Sequence, residues 1–180
     1  MSISKACILI AISLLYAQVA SAQTKASLSV VPAKVANAEF LSLDGSPSIR
    51  LSAYRKKVVV VALWASWCPP CGTALESLGD IKKGFASRGV EVIGLSIEDP
   101  KTEAEKVLSF LRIYKIDFKV GWISEEMAKA LIERDSIPQI FVVAGDGLIV
   151  RRFIGWHPDK SSKLLRRTVK QALRYPPVMQ

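Results

Sequence analysis

The chain has 180 residues, half of them hydrophobic, which predicts one compact domain and excludes both a disordered chain and a multi-span membrane protein. Its formal net charge is +9, but no nucleic-acid-binding motif accompanies that charge, so nucleic acid is not an expected partner. With one histidine, His157, and three cysteines, the chain offers few ligands for a metal site.

The first 22 residues have the pattern of a secretory signal peptide. Lys5 precedes an apolar run, ACILIAISLLYA, and the tripeptide ASA that ends at Ala22 fits a cleavage site. The alternative is an uncleaved anchor, but the apolar run is shorter than the about 20 residues that a membrane-spanning helix needs. Cleavage removes Cys7 and leaves Cys68 and Cys71. Export places the mature chain in the periplasm or outside the cell, where disulfides persist.

The remaining chain predicts a linker over residues 23–36 and one domain over residues 37–175. KKVVVVALWAS, residues 56–66, contains a continuous β-branched run that is typical of a strand buried on both faces. After it the patterns predict a helix, a buried strand, a helix capped by Thr102, an extended piece, a helix beginning after Ser124, a β-hairpin and a final helix. The later strands are predicted at residues 90–97, 139–144 and 148–153. This order predicts an α/β fold with a central mixed sheet and helices on both faces.

The two cysteines of the mature chain lie three residues apart in WASWCPPC, residues 64–71. A structural disulfide, a metal site and a redox couple are the alternatives. A disulfide across so short a loop restrains little chain entropy. Zinc needs two further ligands, and the only histidine is His157. The spacing therefore favours a redox couple formed by Cys68 and Cys71.

The predicted local structure gives the two sulfurs different chemistry. A helix that begins at Cys68 places its sulfur over unpaired N–H groups and the positive end of the helix dipole. This arrangement stabilises a thiolate and predicts that the pKa of Cys68 lies below the ordinary value of about 8.5. Cys71, one turn further and deeper, is predicted to be the resolving thiol, and its spacing keeps the two Cα atoms within disulfide range.

The C-terminal stretch that contains the last predicted helix is strongly basic. Residues 151–174 contain eight Lys and Arg residues and only Asp159 as an acidic residue, a net charge of +7. Apolar residues recur at helical spacing through the same stretch, so one face is apolar and another is basic. The basic face is either an ordinary solvated surface or a contact for an acidic partner or an anionic membrane surface.

At its CxxC motif the chain resembles the thioredoxin superfamily, and in particular its TlpA/ResA-type periplasmic thiol–disulfide oxidoreductases. WASWCPPC is similar to the active-site motif of that branch, IPQIFVV to its cis-proline segment, and GVEVIGLSI to the strand after the first helix. The resemblance covers residues 38–173. It implies a thioredoxin-like fold with the central insertion of the TlpA/ResA type near residues 101–122.

The resemblance also implies roles for individual residues. Cys68 falls on the nucleophile, Cys71 on the resolving thiol and Pro138 on the cis-proline, although an ordinary trans proline at a strand entry is commoner. The backbone at that proline binds an extended substrate segment by main-chain hydrogen bonds, with Ile137 beside the sulfur. Trp67 is either a substrate contact or a residue that packs at the rim of the site.

Two carboxylates that relatives use for proton transfer are missing. Thioredoxin has an aspartate at the position of Ala62, and the TlpA/ResA branch often has a glutamate at the position of Ala74. Either carboxylate moves the proton of the resolving thiol during exchange. Asp99, at the end of a predicted strand, is the candidate substitute, and an ordinary turn residue is the alternative.

The expected function is therefore reduction or exchange of disulfides in exported proteins, with no cofactor and no metal. The expected partners are a disulfide-containing exported protein and an upstream thiol that supplies electrons. A disulfide oxidase or isomerase is the alternative enzyme, and a non-catalytic thioredoxin-like binding module is the alternative outside enzymology. A peroxidase is disfavoured because Ala65 stands where peroxiredoxins have a threonine.

Overall fold

A computed structural model describes residues 29–43, 48–132 and 136–175. The predicted signal peptide lies outside these residues. The helices are α1 (Ala33–Asn37), α2 (Pro69–Phe85), α3 (Ala104–Ile113), α4 (Glu125–Leu131) and α5 (Pro158–Ala172). The strands are β1 (Ser29–Val30), β2 (Glu39–Ser42), β3 (Ile49–Arg50), β4 (Val58–Trp64), β5 (Val90–Ser96), β6 (Lys119–Trp122), β7 (Gln139–Val143) and β8 (Leu148–Ile154). Among the described residues, no helix is both long and apolar enough to cross a membrane.

The strands of this part of the chain form one mixed sheet in the order β1-β8-β7-β4-β5-β6-β2-β3. The central strand β4 is parallel to β5 and antiparallel to β7, and β5 is parallel to β6. The prediction of a mixed sheet with helices on both faces is confirmed. The parallel pairs are joined by α2 and α3, because a chain that returns to the same end of a sheet needs a crossover.

Strand β4 is buried along its whole length because helices cover both faces of the sheet. Val58, Val60, Ala62 and Trp64 join a core cluster that includes buried residues of α2, α3 and α5. Val59, Val61 and Leu63 join a second cluster with buried residues of α1 and α4. Alternate side chains thus fill two cores, as the period of two in a strand requires.

The N-terminal boundary of the domain differs from the prediction. The linker was predicted to extend to residue 36, whereas Ser29–Val30 pairs with β8 and Ala33–Asn37 forms α1. The side chain of Val35 is fully buried. These elements are too short for a periodic pattern, and their stability comes from long-range packing rather than from local propensity.

The C-terminal elements follow the predicted order. β7 and β8 form the expected antiparallel hairpin, and Gly147 in its turn has a positive φ of 86° that suits glycine. The Ser124 side chain caps α4 by accepting a hydrogen bond from the Met127 amide. The predicted cap of α3 at Thr102 is wrong, because α3 begins at Ala104 and the Thr102 amide instead donates to the Asp99 carbonyl.

Candidate active site

The CxxC motif lies at the turn between β4 and α2. Cys68 occupies the N-cap position of α2, with Pro69 and Pro70 in the first helical turn, where a missing N–H costs no helical hydrogen bond. Cys68 and Cys71 form a disulfide with 5.4 Å between their Cα atoms. Cys68 is 3% exposed and Cys71 is 0% exposed. Cys68 therefore lies at the start of a helix, as predicted, and Cys71, the predicted resolving cysteine, is the more buried of the two.

The two tryptophans that frame the motif have different environments. Trp64 is 0% exposed, and its ring stacks on Phe110 of α3 with 5.1 Å between the centroids. Trp67 is 64% exposed beside the disulfide. Trp64 is thus a core residue, whereas Trp67 offers an aromatic surface at the site.

The insertion reaches the first turn of α2 through an aromatic contact. Phe110 packs against Tyr114 with 4.5 Å between their centroids, and the Tyr114 ring covers Gly72. A Cβ atom at Gly72 would overlap with that ring. The glycine after Cys71 therefore allows the inserted helix α3 to support the helix turn that holds both cysteines.

The peptide bond between Ile137 and Pro138 is cis, as the resemblance implies. The register of β4 and β7 pairs Leu63 with Gln139. Pro138 therefore lies at the same end of these two strands as the CxxC turn, which begins where β4 ends. Pro138 is buried and Ile137 is half-buried. The carbonyl oxygen of Pro138 accepts a hydrogen bond from the amide of Gly155 at 2.8 Å.

A buried polar group that the sequence did not indicate supports the cis-proline segment. Gln139 is 0% exposed, and its Nε2 donates to the Ser136 carbonyl oxygen at 2.7 Å. Its Oε1 accepts a hydrogen bond from Arg152 at 2.6 Å, and Arg152 also donates to the Leu131 carbonyl. A glutamine inside a strand with otherwise apolar inward residues is the only sequence signal for this contact.

The acidic residues after β5 have separate surroundings. Asp99 is exposed, and its Oδ1 accepts a hydrogen bond from the Lys101 amide at 2.9 Å, which is the contact of a turn residue. Glu98 is only 8% exposed and accepts hydrogen bonds from Ser66, two residues before Cys68. A proton-transfer role for Asp99 stays a prediction. The buried carboxylate of the pair is Glu98, which sequence reasoning missed because only the strand register brings it to Ser66.

The described residues do not contain a group of three or more His, Cys, Asp or Glu side chains arranged to hold a metal ion. His157 is exposed at the N-cap of α5, and its amide donates to the Ser161 hydroxyl at 3.1 Å. His157 is therefore a residue at the start of a helix, in agreement with its N-cap position.

The chain resembles known proteins over the region that builds this site. A model of the AhpC/TSA family matches residues 31–152, which include the whole CxxC turn and the cis-proline segment. The chain belongs to the AhpC/TSA family.

Relatives of this AhpC/TSA family member are named as thiol–disulfide oxidoreductases or interchange proteins. Thiol-disulfide oxidoreductase ResA of Bacillus subtilis (strain 168) is 25% identical over 107 residues, which is 59% of this chain and 58% of that protein. Thiol:disulfide interchange protein DsbE of Haemophilus influenzae is 30% identical over 113 residues, which is 62% of this chain and 57% of that protein. The chain thus spans less than two thirds of the length of these relatives.

The fold is thioredoxin-like. A thiol:disulfide interchange protein of the thioredoxin family from Chlorobium tepidum TLS superposes with a TM-score of 0.66 at 23% identity, over 81% of this chain and 99% of that one. At this identity the likeness concerns the fold alone. It confirms the fold that the resemblance implied.

The positions at which relatives use a carboxylate are filled here by small apolar residues. Ala62 and Ala74 are both 0% exposed, and Ala74 lies three residues after Cys71 in α2. We expect Ala74→Glu to accelerate turnover of a small disulfide substrate several-fold, because the new carboxylate can accept the proton of the resolving thiol. Stopped-flow kinetics measure the release step.

The matched control is Ala74→Gln, which adds the same volume without a base. Both variants lose stability because a polar side chain enters a packed core. Equal rates for the glutamate and glutamine variants, with both folded, would show that solvent or another group already accepts this proton.

Proposed function

We propose that this protein is an exported thiol–disulfide oxidoreductase that reduces or exchanges disulfides in extracytoplasmic proteins. The observation that carries the proposal is the Cys68–Cys71 disulfide at the N-terminus of α2, at the same end of the central strands as the cis Ile137–Pro138 bond. The names of the ResA and DsbE relatives support the same chemistry.

The proposed cycle starts from the dithiol form. The Cys68 thiolate attacks one sulfur of a substrate disulfide, forms a mixed disulfide and releases the other substrate sulfur as a thiolate. Cys71 then loses its proton and attacks the Cys68 sulfur, which breaks the mixed disulfide and releases the second substrate thiolate. Two electrons have passed from the cysteine pair to the substrate. An upstream dithiol returns the Cys68–Cys71 disulfide to the reduced state by the same exchange in reverse.

The position of each sulfur assigns its role. The N–H groups and the dipole of α2 stabilise negative charge at the N-cap position, so Cys68 is the attacking thiolate. Cys71 is fully buried and reacts only with the neighbouring sulfur. Protein disulfides are the substrate class because an extended segment can pair with the backbone at Ile137, before the cis-proline, and contact the exposed ring of Trp67.

The direction of electron flow is proposed to be toward the substrate. The two residues between the cysteines are prolines, so no histidine stabilises the Cys68 thiolate further, and that favours a reducing couple. A disulfide oxidase or isomerase is the alternative. Equilibration of the full chain with glutathione buffers separates them: a potential near that of thioredoxin, about −270 mV, supports the reductase, and one near that of DsbA, about −120 mV, supports an oxidase.

The test of the proposed activity is a disulfide-reduction assay. With dithiothreitol as the electron source, we expect the protein to accelerate the reduction of insulin disulfides. The same assay with the Cys68→Ser, Cys71→Ser double variant measures the background. A wild-type rate equal to that background, in protein whose disulfide is demonstrably reduced beforehand, would support a non-catalytic binding module.

Export is proposed from the sequence alone, and it carries its own prediction. We expect intact-mass analysis of the protein purified from a periplasmic extract to give a chain that begins at Gln23, because residues 1–22 have the three parts of a secretory signal. A product that retains Met1 in the membrane fraction would contradict cleavage and support an anchor.

The basic face of α5 is proposed as a contact for an anionic membrane surface. Lys163, Arg167 and Lys170 of α5 and Arg174 in the turn after it are exposed, and the ion pairs found within the described residues do not involve α5. We expect co-sedimentation with phosphatidylglycerol vesicles that is lost at high salt and absent with phosphatidylcholine vesicles. The double variant Lys163→Glu, Arg167→Glu reverses the charge at two of these positions, and we expect it to lose this sedimentation. Equal sedimentation with both lipids, or with neither, would leave this face as an ordinary solvated surface.

A further inference from the structure

A buried carboxylate holds the turn that carries the active-site cysteines. Glu98 lies just after β5, and its Oε2 accepts a hydrogen bond from the Ser66 amide at 2.8 Å. Its Oε1 accepts a second from the Ser66 hydroxyl at 2.5 Å. The buried Ser96 hydroxyl donates a third, to Oε2, at 2.9 Å. The two bonds from Ser66 fix the turn between the end of β4 and Cys68.

Burial of a carboxylate is unfavourable unless hydrogen bonds or a cation offset it. Glu98 is only 8% exposed, and within the described residues its partners are these three donors rather than a Lys or Arg side chain. Lys106 is the nearby cation: the hydrogen bond and charge of Glu103 mainly raise its pKa, and the charge of Glu98 adds a smaller effect. Lys106 pairs directly with Glu103 at 2.8 Å.

The strand register explains why Glu98 meets Ser66. β4 and β5 are parallel and in register up to Trp64 and Ser96, and the Ile97 amide then donates to the Trp64 carbonyl at 3.0 Å. The chain beyond β5 therefore follows the chain beyond β4. Ser66 is two residues from Cys68, so their Cα atoms are at most about 7 Å apart.

We propose that Glu98 is a positioning residue that holds the CxxC turn and sets the balance between the dithiol and disulfide forms of Cys68 and Cys71. This rests on the proposed function only in taking Cys68 as the reactive sulfur. A negative charge held on Ser66, two residues before Cys68, disfavours the thiolate relative to the neutral disulfide. Glu98 thereby makes the couple more reducing, in opposition to the N-terminus of α2.

The proposal predicts the sign of two substitutions. Glu98→Gln removes the negative charge, so the Cys68 thiolate becomes more favourable. It also places an amide N–H₂ group against hydrogen-bond donors, which weakens the contact with Ser66. We expect its equilibrium constant with glutathione to move about tenfold toward the dithiol, which is about 30 mV for a two-electron couple. Ser66→Ala keeps the charge but removes one donor that offsets it, so we expect a shift of about two- to threefold toward the disulfide.

The experiment equilibrates the full chain and its variants with glutathione and measures the pH dependence of Cys68 alkylation by iodoacetamide. Glu105→Gln is the matched control, because Glu105 is an exposed glutamate in the first turn of α3 and the substitution is the same. Glu98→Asp tests rescue, because it keeps the charge: we expect an equilibrium constant within about threefold of wild type. Thermal unfolding is measured alongside for each variant.

Several outcomes overturn the proposal. A Glu98→Gln variant that loses thermal stability while its equilibrium constant and alkylation profile stay as in wild type gives Glu98 a purely structural role. A shift of equal size in Glu105→Gln shows a general charge effect. If Glu98→Gln does not fold, Ser66→Ala decides, and an equilibrium constant that is unchanged or moves toward the dithiol contradicts the proposal.

The readout also separates this inference from the proposed function. Alkylation and glutathione equilibrium report on the cysteine pair whether or not the protein reduces insulin. An inert protein whose Cys68 profile nevertheless shifts in Glu98→Gln would contradict the reductase and support the positioning role.

Discussion

Cys68→Ser is expected to reduce disulfide-reduction activity at least a thousandfold, to about the background rate, because in the proposed cycle the thiolate at the start of α2 forms the first new bond. A serine hydroxyl at the same position cannot form a mixed disulfide. The insulin assay measures the loss, and circular dichroism checks that the fold is kept.

Cys71→Ser is the informative comparison because it removes the proposed resolving thiol and keeps the proposed attacking one. With a chromogenic aromatic disulfide in excess, this variant should release one thiolate per protein in a single burst and then stop. Cys68→Ser should show no burst. In the insulin assay, steady turnover by Cys68→Ser at more than a tenth of the wild-type rate would contradict the assignment of Cys68 as the nucleophile.

Trp64→Ala is expected to destabilise the protein by about 3–5 kcal/mol, because it empties a fully buried site in the main core cluster. The lost ring also stacks on Phe110, which packs against the Tyr114 ring over Gly72. The first turn of α2 should therefore loosen together with the core. Urea unfolding measures the free energy of unfolding.

Trp67→Ala gives the matched comparison at the same motif. Trp67 is 64% exposed, so its removal should change the free energy of unfolding by no more than about 0.5 kcal/mol. It should instead raise KM for a protein disulfide while the reduction of a small disulfide changes little. Equal destabilisation by the two substitutions would contradict the assignment of Trp64 to the core and Trp67 to the surface.

The sequence was sufficient for the elements whose signals are local. The β-branched run of β4 is buried on both faces, and the run of strand residues around Gly147 forms the predicted hairpin. Ser124 caps its helix as expected. The position of Cys68 at a helix start also followed from local pattern, because two prolines fit a first helical turn and little else in a helix.

The parts that escaped prediction depend on long-range register. β1 is two residues long and exists through its pairing with Leu148 and Ile149, more than a hundred positions away. Glu98 and Asp99 are adjacent acidic residues that the sequence alone does not distinguish. The alignment of β4 with β5 is what buries Glu98 and leaves Asp99 exposed. Gln139 similarly acquires its role from the hairpin register that brings Arg152 to it.

The central claim, that Cys68 attacks and Cys71 resolves, is tested most directly by trapping substrates in the cell. Cys71→Ser and Cys68→Ser are expressed from the full coding sequence, and extracts of the exported fraction are compared on non-reducing gels. We predict that Cys71→Ser accumulates mixed disulfides with protein substrates, which mass spectrometry of the trapped bands identifies, and that Cys68→Ser accumulates none. Trapping by Cys68→Ser to the same extent as by Cys71→Ser would contradict the account.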